Sequence, residues 1–386
     1  MAASPKNARA PRSQLEHTKK EISILSRASN FVDAGFGVFA LTLTLAVVSA
    51  VPVLNFASLG YLLEASARVA KTGRFRDGFP GLAVFSNLGK IALGVWLWIL
   101  PIRFLHSSWR DAALIQKDNP KADELGSLLI VISILIGIHL VWAVIRGGKL
   151  RHFAWPAPVC FVRWLGSPLK LPRSNPSRLG WFIVKTPLSF LWLGARGFVG
   201  GLIWLAPGTS ILMLSSASSK PGVAAVGGIL GGLLLGIAVL FVPFLQTRFA
   251  ISGRFSEFFT WRTAHLHFRK APLPFCLALI VTLLFALPLY LLKIELAPEE
   301  VAWLPNLAFV VFILPARLLV GWAQFRAFRQ ESGQIWISRW AAILITIPVL
   351  ATYVIIVWLT QFFSWHGSYS LLEQHAFLIP APILGL

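Results

Sequence analysis

Apolar runs of about 20 residues recur along this chain, and each is long enough to cross the ~30 Å hydrocarbon core of a bilayer. Only 13% of the 386 residues are charged, whereas soluble domains carry about 25%. The segments between the runs are too short to form a soluble domain of ordinary size. The sequence therefore predicts an all-α integral membrane protein in which every hydrophilic segment is a tail or a loop.

Nine apolar runs predict about nine membrane-embedded helices. The runs are Phe31–Ala50, Val51–Leu63, Leu88–Leu105, Ser127–Ile145, Pro187–Leu214, Val223–Leu245, Pro272–Leu292, Ala302–Trp322 and Trp340–Phe363. The second run is short for a span and follows the first directly. Pro52 cannot easily continue a helix, so we expect a tight hairpin there. The sequence does not decide whether 31–63 spans the bilayer or forms a re-entrant hairpin.

The basic residues define an orientation. If 31–63 is a hairpin, 27 of the 35 Lys and Arg residues fall on one side of the membrane. Positive residues are retained on the cytoplasmic side, so we expect the N-terminus inside, the C-terminus outside and a location in the cell's inner membrane. Because the basic residues flank apolar runs and alternate with Trp and Phe, the predicted partners are anionic lipid headgroups at the cytoplasmic face rather than nucleic acid.

A short pattern, G-R-F-x-acid-x-F, occurs twice in predicted cytoplasmic loops. Its members are Gly73, Arg74, Phe75, Asp77 and Phe79, and then Gly253, Arg254, Phe255, Glu257 and Phe259. In each copy we expect the Arg to pair with the acid three residues later, and the two Phe to enter the headgroup boundary. A topological anchor is one interpretation of the motif; a paired gate or a surface for docking a partner is the other.

Each motif precedes a span that leads to an acidic loop, Asp118–Glu124 or Lys293–Glu300. This order predicts a 4+4+1 arrangement with a parallel internal repeat, related by an axis along the membrane normal. The predicted segments are a basic cytoplasmic tail (1–30), a four-helix unit (31–146), a basic aromatic interfacial linker (147–186), a second four-helix unit (187–326), and a final span with a C-terminal tail (327–386).

The segment Gly60–Glu64, together with Arg68 and Gly73–Phe75, resembles part of an uncharacterised family of bacterial and archaeal multipass membrane proteins. In those proteins a helix hairpin leads into a glycine-rich cytoplasmic turn. Arg248–Ala250 and Gly253–Phe255 repeat the same features. The resemblance implies a membrane location and no activity.

Charges within the spans are the default candidates for a functional site, because a charge at mid-bilayer costs at least ~2.5–3.5 kcal/mol. Arg196 is the main candidate, with Asp33 and Glu64 as its candidate partners. A structural Arg and an anion or headgroup site both fit the pattern. Arg317 lies near a basic inner loop, so we expect it to snorkel. Glycines of Val223–Leu245 at four-residue spacing predict close helix packing, either within the chain or in a homo-oligomer.

Signals for catalysis are sparse. There is no nucleophile elbow, P-loop, HExxH motif or paired-carboxylate constellation. His265 and His267 have no third ligand nearby, so no metal site is predicted. Cys160 and Cys276 are interpreted as small apolar fillers. We therefore expect a protein that is not an enzyme and that has no cofactor.

Two functions remain compatible with these observations. The first is a small-molecule or lipid permease, because prolines within spans often mark broken helices in transporters. The alternative is a non-transport scaffold or assembly factor that binds lipid or a protein partner through its basic inner face.

Overall fold

The computed structural model describes residues 12–115, 120–166, 176–294 and 303–360, with residues 362, 367 and 371. Part of the basic tail, most of the loop at 293–300 and nearly all of the C-terminal tail lie outside the described residues. Within the described ranges the secondary structure is entirely helical. The helices are α1 (Arg12–Ala50), α2 (Asn55–Thr72), α3 (Leu82–Ile115), α4 (Pro120–Ile145), α5 (Leu150–Ala154), α6 (Pro158–Leu165), α7 (Pro176–Ser216), α8 (Pro221–Ser252), α9 (Trp261–Lys270), α10 (Pro272–Ile294), α11 (Trp303–Arg329) and α12 (Trp336–Thr360).

Seven of these helices are long and apolar enough to cross a membrane, and the count is eight if α9 and α10, bent by 111° at Ala271, form one broken span. The chain is therefore a membrane protein by helix length and composition. The predicted count of nine and the 4+4+1 arrangement are not confirmed. The predicted spans and the observed helices first differ at Val51–Leu63. Helix α2 starts later, at Asn55, and continues through Glu64 and Arg68 to Thr72. Helix α2 is therefore not one of the seven long apolar helices.

The chain reverses direction between α1 and α2. Ser58 Oγ donates a hydrogen bond to Leu45 O over 3.0 Å, although these residues are 13 positions apart. A continuous helix would separate them by about 20 Å. The predicted turn at Pro52 therefore exists, with Val53 at a positive φ of 70°.

The chain forms two compact units, and the first consists of residues 1–41 and 81–175. Its helices α3 and α4 pack together, and the short α5 lies against both. Trp98 Nε1 and His139 Nε2 both bond to Phe153 O, each over 2.9 Å. Because a carbonyl only accepts, His139 carries its hydrogen on Nε2. This histidine fastens α5 to α4.

The second unit consists of residues 42–80 and 176–386 and is built around α2. Helices α7, α8 and α11 all pack against α2, whose residues from Ser58 to Leu63 are all buried. The predicted four-helix boundaries at 31–146 and 187–326 were drawn from hydropathy and remain a prediction. The structure shows that α2, which precedes the first boundary at residue 146, packs with the helices after residue 176.

Glycines allow this packing because they bring helix backbones into contact. A Cβ built on Gly60 would lie 1.8 Å from Phe190 O of α7, and one on Gly194 would lie 1.7 Å from Phe56 O of α2. On the other side of α2, a Cβ on Gly321 of α11 would lie 2.3 Å from Ser66 O. Only hydrogen fits at these three positions, so α2 is held between two main chains.

Four glycines of α8 face two different neighbours, whereas Gly222 and Gly228 have nothing within 4 Å. Gly231 approaches the backbone of α7 at Gly208 and Leu212, whereas Gly232 and Gly236 face Val354 and Leu350 of α12. These contacts favour the interpretation that the small-residue spacing serves packing within the chain.

We expect Gly194→Ala to lower the unfolding temperature of the purified protein by about 5 °C or more. Overpacking costs ~1–3 kcal/mol when only side chains have to move, and here the added methyl group meets backbone, so we expect a larger cost. Each kcal/mol shifts the midpoint by about 2 °C for a unit the size of the second unit, residues 42–80 and 176–386. Gly137→Ala is the control, because it lies in α4 with nothing within 4 Å of the added carbon. Thermal unfolding in detergent measures both, and equal midpoints would contradict the backbone contact.

Candidate functional site

The two G-R-F motifs fold alike. Gly73 ends α2 and Gly253 ends α8, with left-handed φ values of 73° and 71°. Their N–H groups donate to Val69 O and Phe249 O, each over 2.7 Å. Glycine is the residue that adopts this conformation without steric cost. Both helices thus end in the same type of cap.

The similarity extends beyond the glycine. Thr72 Oγ1 accepts a hydrogen bond from the backbone N–H of Arg74 over 3.2 Å, and Ser252 Oγ accepts one from Arg254 over 3.1 Å. A single 3-10 turn follows in each copy, at Phe75–Gly78 and Phe255–Phe259. The hydroxyl residue before the glycine is therefore part of the motif, and sequence reasoning missed it.

The acidic residues of the two copies have different partners, and neither pairs with the arginine expected from sequence. Asp77 lies 3.8 Å from Arg76 Nε at the surface. Glu257 Oε2 accepts from Arg248 Nη2 over 2.6 Å and Nε over 3.1 Å. The backbone N–H of each acid donates instead to the carbonyl of Arg74 or Arg254. The arginine is extended at the start of the turn, so the (i, i+3) side-chain spacing of an α-helix does not apply.

Phenylalanines of the motifs also divide between surface and interior. Phe75 and Phe259 are 44% and 56% exposed, and Phe79 is half-buried. Phe255 joins the buried rings of Phe249 and Phe258, at 6.4 and 5.3 Å between centroids. The second motif is thus anchored by an aromatic cluster as well as by its ion pair.

Arg196 lies at the second motif. Its Nη2 donates to Gly253 O over 2.9 Å, and its guanidinium carbon is 5.1 Å from the centroid of the Phe249 ring. A cation at the negative end of a helix dipole is favourable. The predicted partners pair elsewhere, Asp33 with Lys90 and Glu64 with Arg68, both at 2.7 Å. This geometry favours a structural role for Arg196, which caps α8.

Arg317 is an almost fully buried arginine of the second unit, only 2% exposed. Its Nη2 donates to Gln246 Oε1 of α8 over 2.7 Å, and Gln246 Nε2 donates to Gly197 O of α7 over 3.2 Å. Sequence reasoning expected Arg317 to reach the membrane surface and ranked Arg196 above it. The structure reverses their burial, because the helices beside Arg317 supply polar groups in the interior.

The hydrogen bonds around Arg317 form a polar network. A second branch of this network begins at Gln324, two helical turns later on the same face of α11. Gln324 is fully buried; its Nε2 donates to Phe244 O over 3.4 Å. His267 Nδ1 lies 3.0 Å from Gln324 Oε1 and 3.4 Å from Arg248 Nη1. Arg248 in turn holds Glu257, which also accepts from Thr260 Oγ1 over 3.2 Å. The branch connects the interior of α11 to the second motif.

The hydroxyls of Ser66 and Thr247 form another polar contact in the interior. They lie 2.8 Å apart, both buried, and join α2 to α8. The signal in the sequence is the polar triplet Gln246-Thr247-Arg248 at the end of an apolar run, together with the seven-residue spacing of Arg317 and Gln324. Seven residues are about two turns, so both face one neighbour.

Burial lowers the pKa of His267 to about 4, with the nearby charge of Arg248 acting in the same direction. His267 belongs to α9, which lies outside the seven long apolar helices. At neutral pH its ring is uncharged, and its Nδ1–H can donate to Gln324. Together these groups form a polar network that links α7, α8, α9 and α11.

No protein-family profile, curated protein or solved structure matches this chain. This result is consistent with the resemblance to an uncharacterised family, since no relative contributes an activity. The class that the fold defines is an all-helical multipass membrane protein.

We expect Glu257→Gln to destabilise the protein by ~1–3 kcal/mol, because it leaves the partly buried guanidinium of Arg248 without its charged partner. The matched control is Asp77→Asn, the same change at the equivalent position of the first motif. Its ion pair is exposed, so we expect less than ~0.5 kcal/mol. Thermal unfolding of both variants measures the two losses of stability. A larger loss for Asp77→Asn than for Glu257→Gln would refute the assignment of Arg248–Glu257 as the anchoring pair.

Stability should also depend on pH through His267. The folded pKa of about 4 lies below the unfolded value near 6.5, so the unfolded chain takes up the proton first. The contribution of neutral His267 is complete above pH 6.5 and is lost as the pH falls towards 4, by about 1–2 kcal/mol once the partial exposure of the ring to solvent is allowed for.

His267→Asn keeps an amide donor for Gln324 and should remove this part of the pH dependence. His265→Asn, two residues earlier and exposed, should leave it unchanged. Unfolding temperatures measured from pH 7.5 to 4 test the assignment. If the unfolding temperature of His267→Asn still falls with pH as in the unaltered chain, the pH dependence belongs to another group.

Proposed function

We propose that this protein is a non-transport membrane scaffold, located in the inner membrane with its basic face towards the cytoplasm, where it binds anionic lipid or a protein partner. The observation that carries this proposal is the close backbone packing around α2. Gly60 meets Gly194 of α7 on one side, and Gly321 of α11 meets Ser66 on the other. Transport by alternating access requires helix groups to rock against each other around a substrate site. Helices in main-chain contact leave no space for a substrate between them.

The interior polar side chains support the same conclusion. Gln246, Gln324 and Thr247 all bond to protein groups in other helices or to backbone carbonyls. In a low-dielectric interior such bonds are stronger than in water, and they specify one arrangement of the helices. These groups hold the bundle together rather than face an open path.

The basic face of the second unit supplies the binding surface. We define it as the C-terminal ends of α2, α8 and α11, the two 3-10 turns, and α9. Its described parts meet: the Phe325 ring of α11 fills the space beside Gly73, and Gln334 N–H donates to Arg269 O. Its exposed cations are Arg68, Lys71, Arg74, Arg76, Arg254, Arg262, Arg269, Arg326 and Arg329. A surface of this charge attracts anionic headgroups at about 1 kcal/mol per residue.

A permease is the second candidate, and one observation favours it. Arg317 is buried in α11, one of the seven long apolar helices, and an ionisable residue inside the membrane is a functional-site hypothesis by default. In that case the region around Arg317, Gln246 and Thr247 opens to water during transport. In a non-transport scaffold, by contrast, this region stays closed to water.

Cysteine labelling distinguishes the two functions without knowledge of a substrate. In a Cys160→Ser, Cys276→Ala background, Thr247→Cys places one thiol in the buried contact between α2 and α8. Sealed vesicles of each orientation are then treated with a charged, membrane-impermeant thiol reagent. We expect labelling about a hundredfold slower than at an exposed site, because reaction requires local opening.

Ser252→Cys is the matched control, five residues further along α8 and exposed. It should react at once, and only from the cytoplasmic side, which also tests the proposed orientation. Labelling of Thr247→Cys at the rate of Ser252→Cys, from either side, would refute the scaffold and favour the permease.

A further inference from the structure

A groove of about 380 Å³ lies on the basic face of the second unit, where α10 begins and α11 ends. Its apolar side comes from α10, and its polar side from α11 and the loop that follows. The groove is lined by Leu273, Leu277, Trp322, Arg326, Gln330 and Gln334, among others. A groove of this size accommodates a headgroup and the glycerol of a lipid.

The apolar side of the groove continues onto a surface that a bilayer would cover. Leu273 and Leu277 are 49% and 47% exposed and lie one helical turn apart on α10. Trp336 and Trp340, two and six residues after the lining residue Gln334, are 67% and 56% exposed. Exposed tryptophans mark the level of the headgroups in membrane proteins. The groove therefore lies at the interface and opens towards the acyl chains.

The polar side of the groove suits an anion. Arg326 is exposed, with its guanidinium 5.8 Å from the Trp322 ring, and Gln330 and Gln334 offer amide donors. Gln334 is fixed to α9, because its backbone N–H donates to Arg269 O over 3.1 Å. Arg guanidinium groups are well suited to phosphate because their planar N–H donors can bind two oxygens at once.

The nearby formal charges are positive on balance. Arg269, Lys270 and Arg329 lie in the segments that form the groove, whereas the acid in the same loop is Glu331. Charge and shape thus agree: a cationic, hydrogen-bonding end is joined to an apolar end that faces the membrane.

We propose that this groove binds one anionic phospholipid, with the phosphate at Arg326 and the glutamine amides, and an acyl chain along Leu273 and Leu277. The proposal rests on the lipid-binding function proposed for the basic face and names the site and the ligand. It commits to a lipid rather than to free phosphate, since free phosphate would leave the exposed leucine side unused.

Native mass spectrometry of the detergent-purified full chain tests the proposal. The protein is delipidated and offered phosphatidylglycerol and phosphatidylcholine in equal amounts. We expect a retained phosphatidylglycerol, about tenfold more abundant than phosphatidylcholine. Arg326→Gln should reduce this phosphatidylglycerol binding about tenfold, as expected for one charged hydrogen-bonding group.

Arg329→Gln is the matched control, with the same change in charge on the same helix. Its guanidinium lies by the Phe325 ring, 5.5 Å from the centroid, and it does not line the groove. Because Arg329 is one exposed cation of the basic face, its replacement removes only part of the general attraction, and we expect phosphatidylglycerol binding to fall about twofold rather than tenfold. Equal losses in Arg326→Gln and Arg329→Gln would overturn the site and leave only general attraction to the basic face.

A second pair of variants keeps the test decisive if Arg326→Gln does not fold. Gln330→Glu places a negative charge in the groove and should abolish the preference for phosphatidylglycerol; Ser332→Asp adds the same charge beside it and should not. Displacement of the lipid by millimolar inorganic phosphate would overturn the lipid assignment. The cysteine at position 247 reports on the closed core independently, so the two proposals can fail separately.

Discussion

The contact between Gly60 and Gly194 determines how the second unit is assembled. Lipid provides no hydrophobic force that drives helices together, so association in a membrane depends on close packing and on interhelical hydrogen bonds. At this contact the carbonyls of Phe56 and Phe190 lie where any side chain would have to be. The approach lets α2, which ends with polar residues, lie inside the unit. Gly321 repeats the arrangement against Ser66 on the other side of α2.

Close packing explains why the interior tolerates polar groups. With the backbones of α2, α7, α8 and α11 close together, the side chains of Gln246, Thr247, Arg317 and Gln324 reach partners on neighbouring helices. Each bond made in a medium that excludes water is costly to break. The polar network and the glycine contacts therefore stabilise the same helix arrangement. This agreement is the physical basis for proposing a closed scaffold rather than a moving transporter.

The two motifs show how one local structure can serve two environments. A left-handed glycine, a hydroxyl that accepts from the next arginine, and a 3-10 turn recur in both copies. In the second copy Arg196 and the Arg248–Glu257 pair attach this turn to the bundle. In the first copy the corresponding acid stays at the surface. The local fold is thus shared, whereas its role depends on the helices that surround it.

The sequence by itself determined that this chain is a membrane protein, and it determined much of the local structure. Apolar run length predicted the ends of α1 and α4 at Ala50 and Ile145, and Pro52 predicted the reversal before α2. These features depend on residues close in sequence. The tertiary structure alone decided which arginine is buried, which partner each acid takes, and that α2 packs with helices after residue 176. Those outcomes depend on groups brought together from distant segments: Arg317 is stabilised by Gln246, 71 positions away. Hydropathy assigns a cost to each residue in isolation and contains no information about such a partner.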